Sequence, residues 1–198
     1  MPNEMKVIIE GYDEVIKGIQ DMQSKSEKVV NRTVADFKSR GPSWVVQEVT
    51  KEYSISKKDV NETKKGVTKG KSQIRVKGAK LDDISIVYRG RVLTPTHFAM
   101  KPTMRPTRNR PYVVSATIKK SKGRVNLGSN VFLASASKNS TTQIPWQRRS
   151  DARLPIDVIK TVSVPQMITN EGVEQNIHNR INTELGKRLE HHLKRAQK

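Results

Sequence analysis

Apolar residues recur at helical spacing through the first quarter of the chain. A β-branched run over residues 5–10 predicts a short strand, and helical periodicity begins near Asp13 and again from about Ser26. Gly41-Pro42 interrupts this pattern, because proline lacks the backbone N–H and clashes with the preceding turn. The apolar face continues beyond the proline. The segments on either side are therefore either two helices or one long kinked helix.

The middle of the chain has the pattern of β-structure. Four segments are rich in Val, Ile and Tyr and are separated by Gly, Ser or Asn: residues 73–77, 84–89, 112–119 and 130–134. They predict one antiparallel or mixed sheet. Before them, we expect at most a short helix over residues 56–63, with Ser56 as its N-cap, and a basic loop over residues 66–70.

A proline-rich segment lies between the second and third of these predicted strands. Residues 94–111 contain four prolines, at positions 95, 102, 106 and 111. Their spacing excludes a regular helix or a central strand, and the segment is too long for an ordinary connection. It predicts an arginine-rich loop or arm that becomes ordered on a neighbouring molecule.

The C-terminal end has the clearest helical pattern. Ser163 followed by Gln166 fits a capping box, with Pro165 in the first turn of a helix predicted over residues 163–197. Apolar residues then recur every four positions: Val173, Ile177, Ile181, Leu185, Leu189 and Leu193. Because four residues turn a helix by about 400°, this stripe drifts by roughly 40° per step. We expect its first half to pack on its own domain and its second half to contact a neighbouring subunit, unless the last turns fray. The candidate interface residues are Leu185, Leu189 and Leu193.

Together these elements predict a single α+β domain over residues 1–198. It comprises an N-terminal strand and helices (5–65), a basic β-rich part with the arm (72–162) and a C-terminal helix (163–197). An antiparallel or mixed sheet packs on the N-terminal helices. With 34% hydrophobic and 5% aromatic residues the core is lean. We therefore expect a homo-oligomer, since partner surfaces would supply the missing apolar burial.

The positive charge is concentrated in the middle of the chain. The formal net charge is +19, and residues 84–150 contain 13 Lys and Arg but no Asp or Glu. One interpretation is a surface that contacts nucleic-acid phosphates without sequence specificity, and the other is a solvated basic surface. The candidates for phosphate contact are Arg105, Arg108, Arg110, Lys119, Lys120, Lys122 and Arg124. The chain has no zinc-finger spacing and no RRM aromatic signature.

The amino-acid composition also indicates the cellular compartment of the protein. The absence of cysteine excludes disulfide scaffolds and cysteine-ligated zinc modules, and it favours a reducing compartment. No stretch approaches about 18 consecutive apolar residues, and Glu4 and Glu10 stand where a signal peptide would be basic. We expect a protein of the cytoplasm that has no membrane partner.

No motif for catalysis or metal binding is convincing. Three residues lie between Gly66 and Gly70, where a Walker motif needs four, and Asp82-Asp83 has no ligand-spaced carboxylates beside it. His97, His178, His191 and His192 do not form an HExxH motif. We therefore expect no enzyme activity, no cofactor and no metal site. A nuclease would need clustered carboxylates, which the basic stretch lacks.

Several short motifs occur in an order that is itself informative. They are Asn31-Arg32-Thr33, Glu52-Tyr53-Ser54-Ile55, Leu93-Thr94, His97-Phe98-Ala99, Leu154-Pro155-Ile156 and the run over residues 162–167. Over roughly residues 5–195 this order resembles the phage minor tail protein Z family, whose members are also called tail completion proteins. Gly41-Pro42 departs from the family, where this stretch looks like continuous helix.

The resemblance implies a structural virion protein of a tailed bacteriophage. It implies a ring, with six copies in the usual sixfold tail, that joins tail to head at the head-proximal end of the tail around the DNA path. The implied partners are further copies of the chain, a tail tube or tail terminator protein, head-tail connector proteins and genomic DNA. Such a protein is assembled in the host cytoplasm and ends in the tail or neck of the virion. The charge alone leaves an alternative open, a basic cytoplasmic nucleic-acid-binding protein of ribosomal or chromatin type.

Overall fold

A computed structural model describes residues 12–61, 72–80, 83–107 and 110–197 of the chain. The helices are α1 (Tyr12–Glu52), α2 (Lys57–Val60), α3 (Val164–Ile168) and α4 (Glu171–Ala196). The strands are β1 (Gln73–Lys77), β2 (Ser85–Arg89), β3 (Ser115–Ala116), β4 (Val125–Asn126), β5 (Val131–Ser135), β6 (Gln143–Arg148) and β7 (Ile156–Val158). Short 3₁₀ turns occupy Pro95–His97 and Lys120–Lys122. This arrangement confirms the α+β class. The predicted strand over residues 5–10 and the predicted loop over residues 66–70 lie outside the described residues.

Helix α1 passes through Gly41-Pro42 without a break. It has 41 residues, so the predicted interruption is wrong and the alternative of one long helix is correct. Pro42 removes one backbone hydrogen bond, but apolar packing spans the proline. Phe37 precedes it and Trp44 follows it, and their rings lie 5.8 Å apart while both are buried. Burial of the same face on both sides offsets the local cost of the proline.

The β-strands form three small antiparallel sheets instead of the single predicted sheet. The pairs β1-β2 and β3-β4 are separate from the three-stranded sheet β5-β6-β7. The predictions for β1, β2 and β5 are correct to within one residue at each end, whereas residues 112–119 contribute only the two residues of β3. Strands β4, β6 and β7 were not predicted. In β6 the pattern is obscured by Pro145, which argues against a central strand when only the sequence is considered.

The C-terminal helix is divided into α3 and α4. The capping box is confirmed, because the Ser163 hydroxyl accepts from the Gln166 backbone N–H at 3.3 Å and the Gln166 Oε1 accepts from the Ser163 N–H at 2.8 Å. The helical conformation stops at Thr169, and Asn170 is the N-cap of α4. This break places Met167 on one side and Val173 on the other side in the same core.

The two long helices pack antiparallel and carry much of the core. Asp36 lies opposite His192 and Glu48 lies opposite Arg180, so positions twelve residues apart on α1 face positions twelve residues apart on α4. The larger apolar cluster joins α1, β1, α3 and α4, with Val49 and Phe98 fully buried in it. A smaller cluster centred on Val114 and Leu133 lies beneath β3 and β5.

Candidate functional site

The basic stretch lies mainly on the surface of the β-rich part. Six of the seven candidate phosphate contacts are among the described residues, and Arg108 is not. Arg105, Arg110, Lys120, Lys122 and Arg124 are exposed, while Lys119 is half-buried. Among ion pairs between described residues, only two involve a lysine or arginine of this stretch, and these are Lys119–Glu52 at 3.8 Å and Arg149–Asp157. Most of its positive charge therefore faces solvent without a carboxylate of the same chain.

Two of the candidates stabilise the end of α1. The Lys120 ammonium donates to the backbone carbonyl of Thr50 at 2.7 Å, in the last turn of the helix. Lys119 pairs with Glu52, and its Nζ atom lies 5.6 Å from the centre of the Tyr53 ring. Cations near the last carbonyls of a helix are favoured by the helix dipole. These lysines thus have a structural role that the charge pattern did not reveal.

The remaining candidates differ in how firmly they are held. Arg124 donates from Nη1 to the Ala99 carbonyl at 3.3 Å and to the Ser115 hydroxyl at 3.4 Å. Within the described residues, the side chains of Arg105, Arg110 and Lys122 make no hydrogen bond and no ion pair. These three are the cations that an anionic ligand could engage without breaking an existing contact.

The proline-rich segment is only partly an arm. Pro95 and Met100 are buried, Phe98 is fully buried, and Lys101 exchanges two backbone hydrogen bonds of 2.8 Å with Ser115. Residues 94–101 are therefore part of the folded body, which corrects the expectation for that half. The described residues from 103 onward are exposed as far as Pro111, and Met104 is 60% exposed. Ordering on a neighbour remains a prediction for this second half.

The stripe on α4 becomes less buried toward the C terminus. Val173 and Ile177 are in the core, as predicted for the first half of the helix. Leu185 and Leu189 are half-buried, and Leu193 is 44% exposed. The second half also contacts its own chain, because the buried His192 ring lies 3.1 Å from the Asp36 carboxylate. The proposed interface residues are thus on the side of α4 that is only partly covered by α1.

An apolar groove of about 350 Å³ opens between α1, β2, α3 and α4. Its floor is buried and its walls are half-buried, and the apolar lining residues are Phe37, Val45, Ile84, Ile86, Tyr88, Ile168, Ile177, Ile181 and Leu185. Among the described residues, the charged or titratable side chains that line it are those of Glu174 and His178, together with that of Tyr88. No motif in the sequence marked this groove, since it is created by the packing of elements far apart in the chain.

A buried ion pair joins the two long helices. The Glu48 side chain is only 6% exposed and accepts from Arg180 Nη1 at 2.8 Å and from Lys51 Nζ at 2.8 Å. Burial by itself raises the pKa of Glu48, but the hydrogen bonds from Lys51 and Arg180 outweigh it and the pKa is lowered from 4.5. The signal in the sequence was the position of Glu48 between Val45 and Val49, on the apolar face of α1.

The histidines lie apart and each has its own surroundings. His97 is 3.3 Å from Asp59, His178 is 4.0 Å from Glu174 at the edge of the groove, and His191 stacks edge-on against His192. Within the part of the chain that the structure describes, no three His, Asp or Glu side chains are grouped as metal ligands would be. In the same residues, no helix combines the length and the hydropathy of a membrane-spanning segment.

Comparison with known proteins identifies the family. A family model described as prophage minor tail protein Z (GPZ) matches residues 9–198. The comparisons with curated proteins and with solved structures gave no match. The match to the family model spans both long helices, the basic stretch and the groove, and it confirms the resemblance noted in the sequence. This chain therefore belongs to the prophage minor tail protein Z family, whose members are structural proteins of the phage tail.

Proposed function

We propose that this minor tail protein completes the tail by forming a ring at its head-proximal end, where it joins tail to head around the DNA path. Family membership supports the place in the virion. A role at the DNA path is supported by residues 84–150, which contain no Asp or Glu. In this stretch the exposed side chains of Arg105, Arg110 and Lys122 have no hydrogen-bond or ion-pair partner among the described residues.

The charge itself favours an anionic neighbour. In a ring, the basic stretches of adjacent copies would lie close together, and at a Debye length of about 8 Å they would repel one another. A phosphate backbone in the channel would neutralise them, and contact with phosphates requires no particular base sequence. The same stretch would then help to assemble the neck only when DNA or another polyanion is present.

The lean core supports assembly with other copies. Several large apolar side chains are strongly exposed in the isolated chain: Met22 at 72%, Leu154 at 67%, Met104 at 60% and Val113 at 58%. Single exposed apolar residues are ordinary, but these occur on three separate parts of the chain. They provide contact area for further copies, for a tail tube or terminator protein and for head-tail connector proteins.

A charge-removal experiment tests the role at the DNA path. The variant Arg105→Gln, Arg110→Gln, Lys122→Gln removes three cations whose side chains make no hydrogen bond and no ion pair within the described residues. The control variant Lys28→Gln, Arg32→Gln, Lys38→Gln removes the same charge from exposed positions on α1. The log-log slope of duplex-DNA affinity against salt should flatten by about 0.9 for each lost phosphate contact in the first variant only.

The same two variants distinguish the alternatives. If the first variant binds DNA like the parent chain but no longer joins heads to tails, its cations contact acidic surfaces of neighbouring virion proteins. If both variants behave like the parent chain in DNA binding and in joining, the stretch is a solvated surface and the proposed role at the DNA path is rejected. Strong DNA binding without any incorporation into tails would instead favour a separate nucleic-acid-binding function.

A further inference from the structure

A second cavity, of about 610 Å³, lies at the end of the sheet β5-β6-β7 where β5 turns into β6. Its walls come from three segments that are distant in the chain: the connection after β2, the β5-β6 hairpin and the end of β7. Backbone hydrogen bonds hold the first and third segments side by side, from the Thr161 N–H to the Leu93 carbonyl at 2.8 Å and from the Leu93 N–H to the Val162 carbonyl at 3.3 Å. The Ala136 N–H donates to the Thr142 carbonyl at 3.0 Å and closes the hairpin. The fold itself therefore holds the walls in place.

Among the described residues, the titratable side chains that line this cavity are all basic. They are Arg91, His97 and Lys160, and no described Asp or Glu belongs to the lining. Arg91 and Lys160 are exposed, and their side chains make no hydrogen bond and no ion pair within the described residues. Asp157 precedes Lys160 by three positions, but its carboxylate already accepts from Arg149 Nη2 at 2.9 Å. We call this space the basic cavity.

The basic cavity also contains a hydrogen-bond donor without an acceptor. The hydroxyl oxygens of Thr94 and Thr96, which both line it, lie 2.6 Å apart. Such a pair uses one O–H group for its own hydrogen bond, so the second O–H group is available, and it has no acceptor among the described residues. The His97 ring is oriented by Asp59, whose carboxylate lies 3.3 Å from Nδ1. A fixed hydroxyl donor beside two cations is suited to an anionic group such as a carboxylate or a phosphate.

The remaining walls are apolar and favour a protein segment as the occupant. Val92 is 45% exposed, and Ile144 and Val158 are half-buried. A free inorganic anion would leave these side chains uncovered, whereas a protein segment can place an aliphatic side chain on them and a carboxylate beside the cations. The volume of about 610 Å³ accommodates a few side chains. Duplex DNA cannot enter a cavity of this size, because its phosphates follow the outside of a continuous double helix.

From these observations we propose that the basic cavity binds an acidic segment of a neighbouring virion protein. A carboxylate of that segment pairs with Arg91 and Lys160, and an aliphatic side chain beside it covers Val92. Charge complementarity selects this occupant, since the described lining has unpaired cations and no carboxylate of its own. The inference goes beyond the proposed function, because it concerns other cations and requires neither a ring nor contact with DNA. It requires only that the chain is part of a tail, as its family indicates.

Site-specific cross-linking in assembled tails tests the occupant directly. The photoreactive amino acid benzoylphenylalanine replaces Ala136, which is exposed and lines the basic cavity. It should cross-link to one segment of a neighbouring chain, and mass spectrometry should identify Asp or Glu within that segment. The control carries the same amino acid at Val125, which is 47% exposed on β4 and lies outside the cavity lining, and it should not cross-link to that segment. Cross-links from position 136 to DNA, to a segment without an acidic residue or to nothing would overturn the proposal.

Charge-removing variants measure the contact without a cross-linker. Arg91→Gln, Lys160→Gln removes both cations, and its circular dichroism should match that of the parent chain because neither side chain has a described partner. The control Arg32→Gln, Lys38→Gln removes one arginine and one lysine from exposed positions on α1. Incorporation into tails should fall about tenfold or more in the first variant only, while the salt dependence of its duplex-DNA affinity stays that of the parent chain. Equal incorporation of the two variants would overturn the proposal, as would a flattened salt slope in the first variant.

A charge exchange identifies the paired groups. Lys160→Glu should block incorporation into tails, because it places like charges opposite each other. Replacement of the cross-linked acidic residue by lysine in the neighbouring protein should restore incorporation of Lys160→Glu and reduce that of the parent chain. If no acidic residue of the segment gives this reciprocal effect, the inference is rejected. If the exchange succeeds in tails that contain no ring of this chain, the proposed function fails and the inference stands.

Discussion

Arg180 Nη1 donates to Glu48 Oε1 across 2.8 Å and thereby ties α4 to α1 at a point 132 residues away in the chain. The Glu48 carboxylate is nearly inaccessible, and Lys51 donates to it from the same helix. A buried carboxylate is tolerated only when its charge is paired and hydrogen-bonded. This pair therefore fixes how the two long helices sit against each other.

Removal of Arg180 should destabilise the fold substantially. Arg180→Ala leaves Glu48 buried with only Lys51 as partner, and we expect a loss of about 3 kcal/mol in the free energy of unfolding. Lys194→Ala is the control, since its pair with Glu190 is exposed and should contribute less than about 0.5 kcal/mol. Urea unfolding followed by circular dichroism measures both. Equal midpoints for the two variants would show that the buried pair does not hold the helices together.

The Glu48 pKa predicts how stability depends on pH. Because the folded state lowers this pKa below 4.5, the unfolded chain takes up the proton more readily as the pH falls. The stabilisation is fully present above about pH 4.5 and is lost as the pH falls through the lower folded-state value. Glu48→Gln should be less stable at neutral pH and should show a weaker fall in stability below pH 4.5. An unchanged slope in that range would mean that other carboxylates dominate acid unfolding.

Gly41 is predicted to be required where α1 meets β1. A Cβ atom at this position would lie 3.0 Å from Phe37 Cε2 and 3.2 Å from Val76 Cγ2. Gly41→Ala should therefore destabilise the protein by about 1 kcal/mol or more, since overpacking costs more than the gain in helix propensity. Gly186→Ala on α4 should stabilise it by about 0.5–1 kcal/mol, because a Cβ there has no atom within 4 Å. The thermal unfolding midpoints of the two variants compare the same substitution at a crowded position and at an open one.

Neighbouring lysines of the 3₁₀ turn should have different roles. Lys120→Gln removes the hydrogen bond to the Thr50 carbonyl at the end of α1 and should cost about 1 kcal/mol of stability. Lys122→Gln removes the same charge from an exposed side chain and should change stability by less than about 0.5 kcal/mol. Chemical denaturation checks this difference. If both variants unfold at the parent midpoint, the Lys120 contact does not stabilise the helix end.

Local sequence patterns determined most of the elements of this protein. The capping box at Ser163 follows from the side chains of four consecutive residues. The spacing of apolar residues within each segment predicts the strands β1, β2 and β5 and the buried first half of the apolar stripe on α4. The order of short motifs indicated the family, which the match over residues 9–198 confirms. The elements are readable in the sequence because each depends on residues close together in the chain.

Only the tertiary structure decided how these elements combine. Packing on both sides of Pro42 keeps α1 continuous, and pairing between distant segments divides the strands among three sheets. The contacts of Lys119 and Lys120 with the end of α1, and of Arg180 with Glu48, join residues separated by 67 or more positions. The groove between α1, β2, α3 and α4 arises in the same way. Such contacts depend on which surfaces meet in the folded chain. The spacing of apolar residues within one segment does not show which other segment will pack against it.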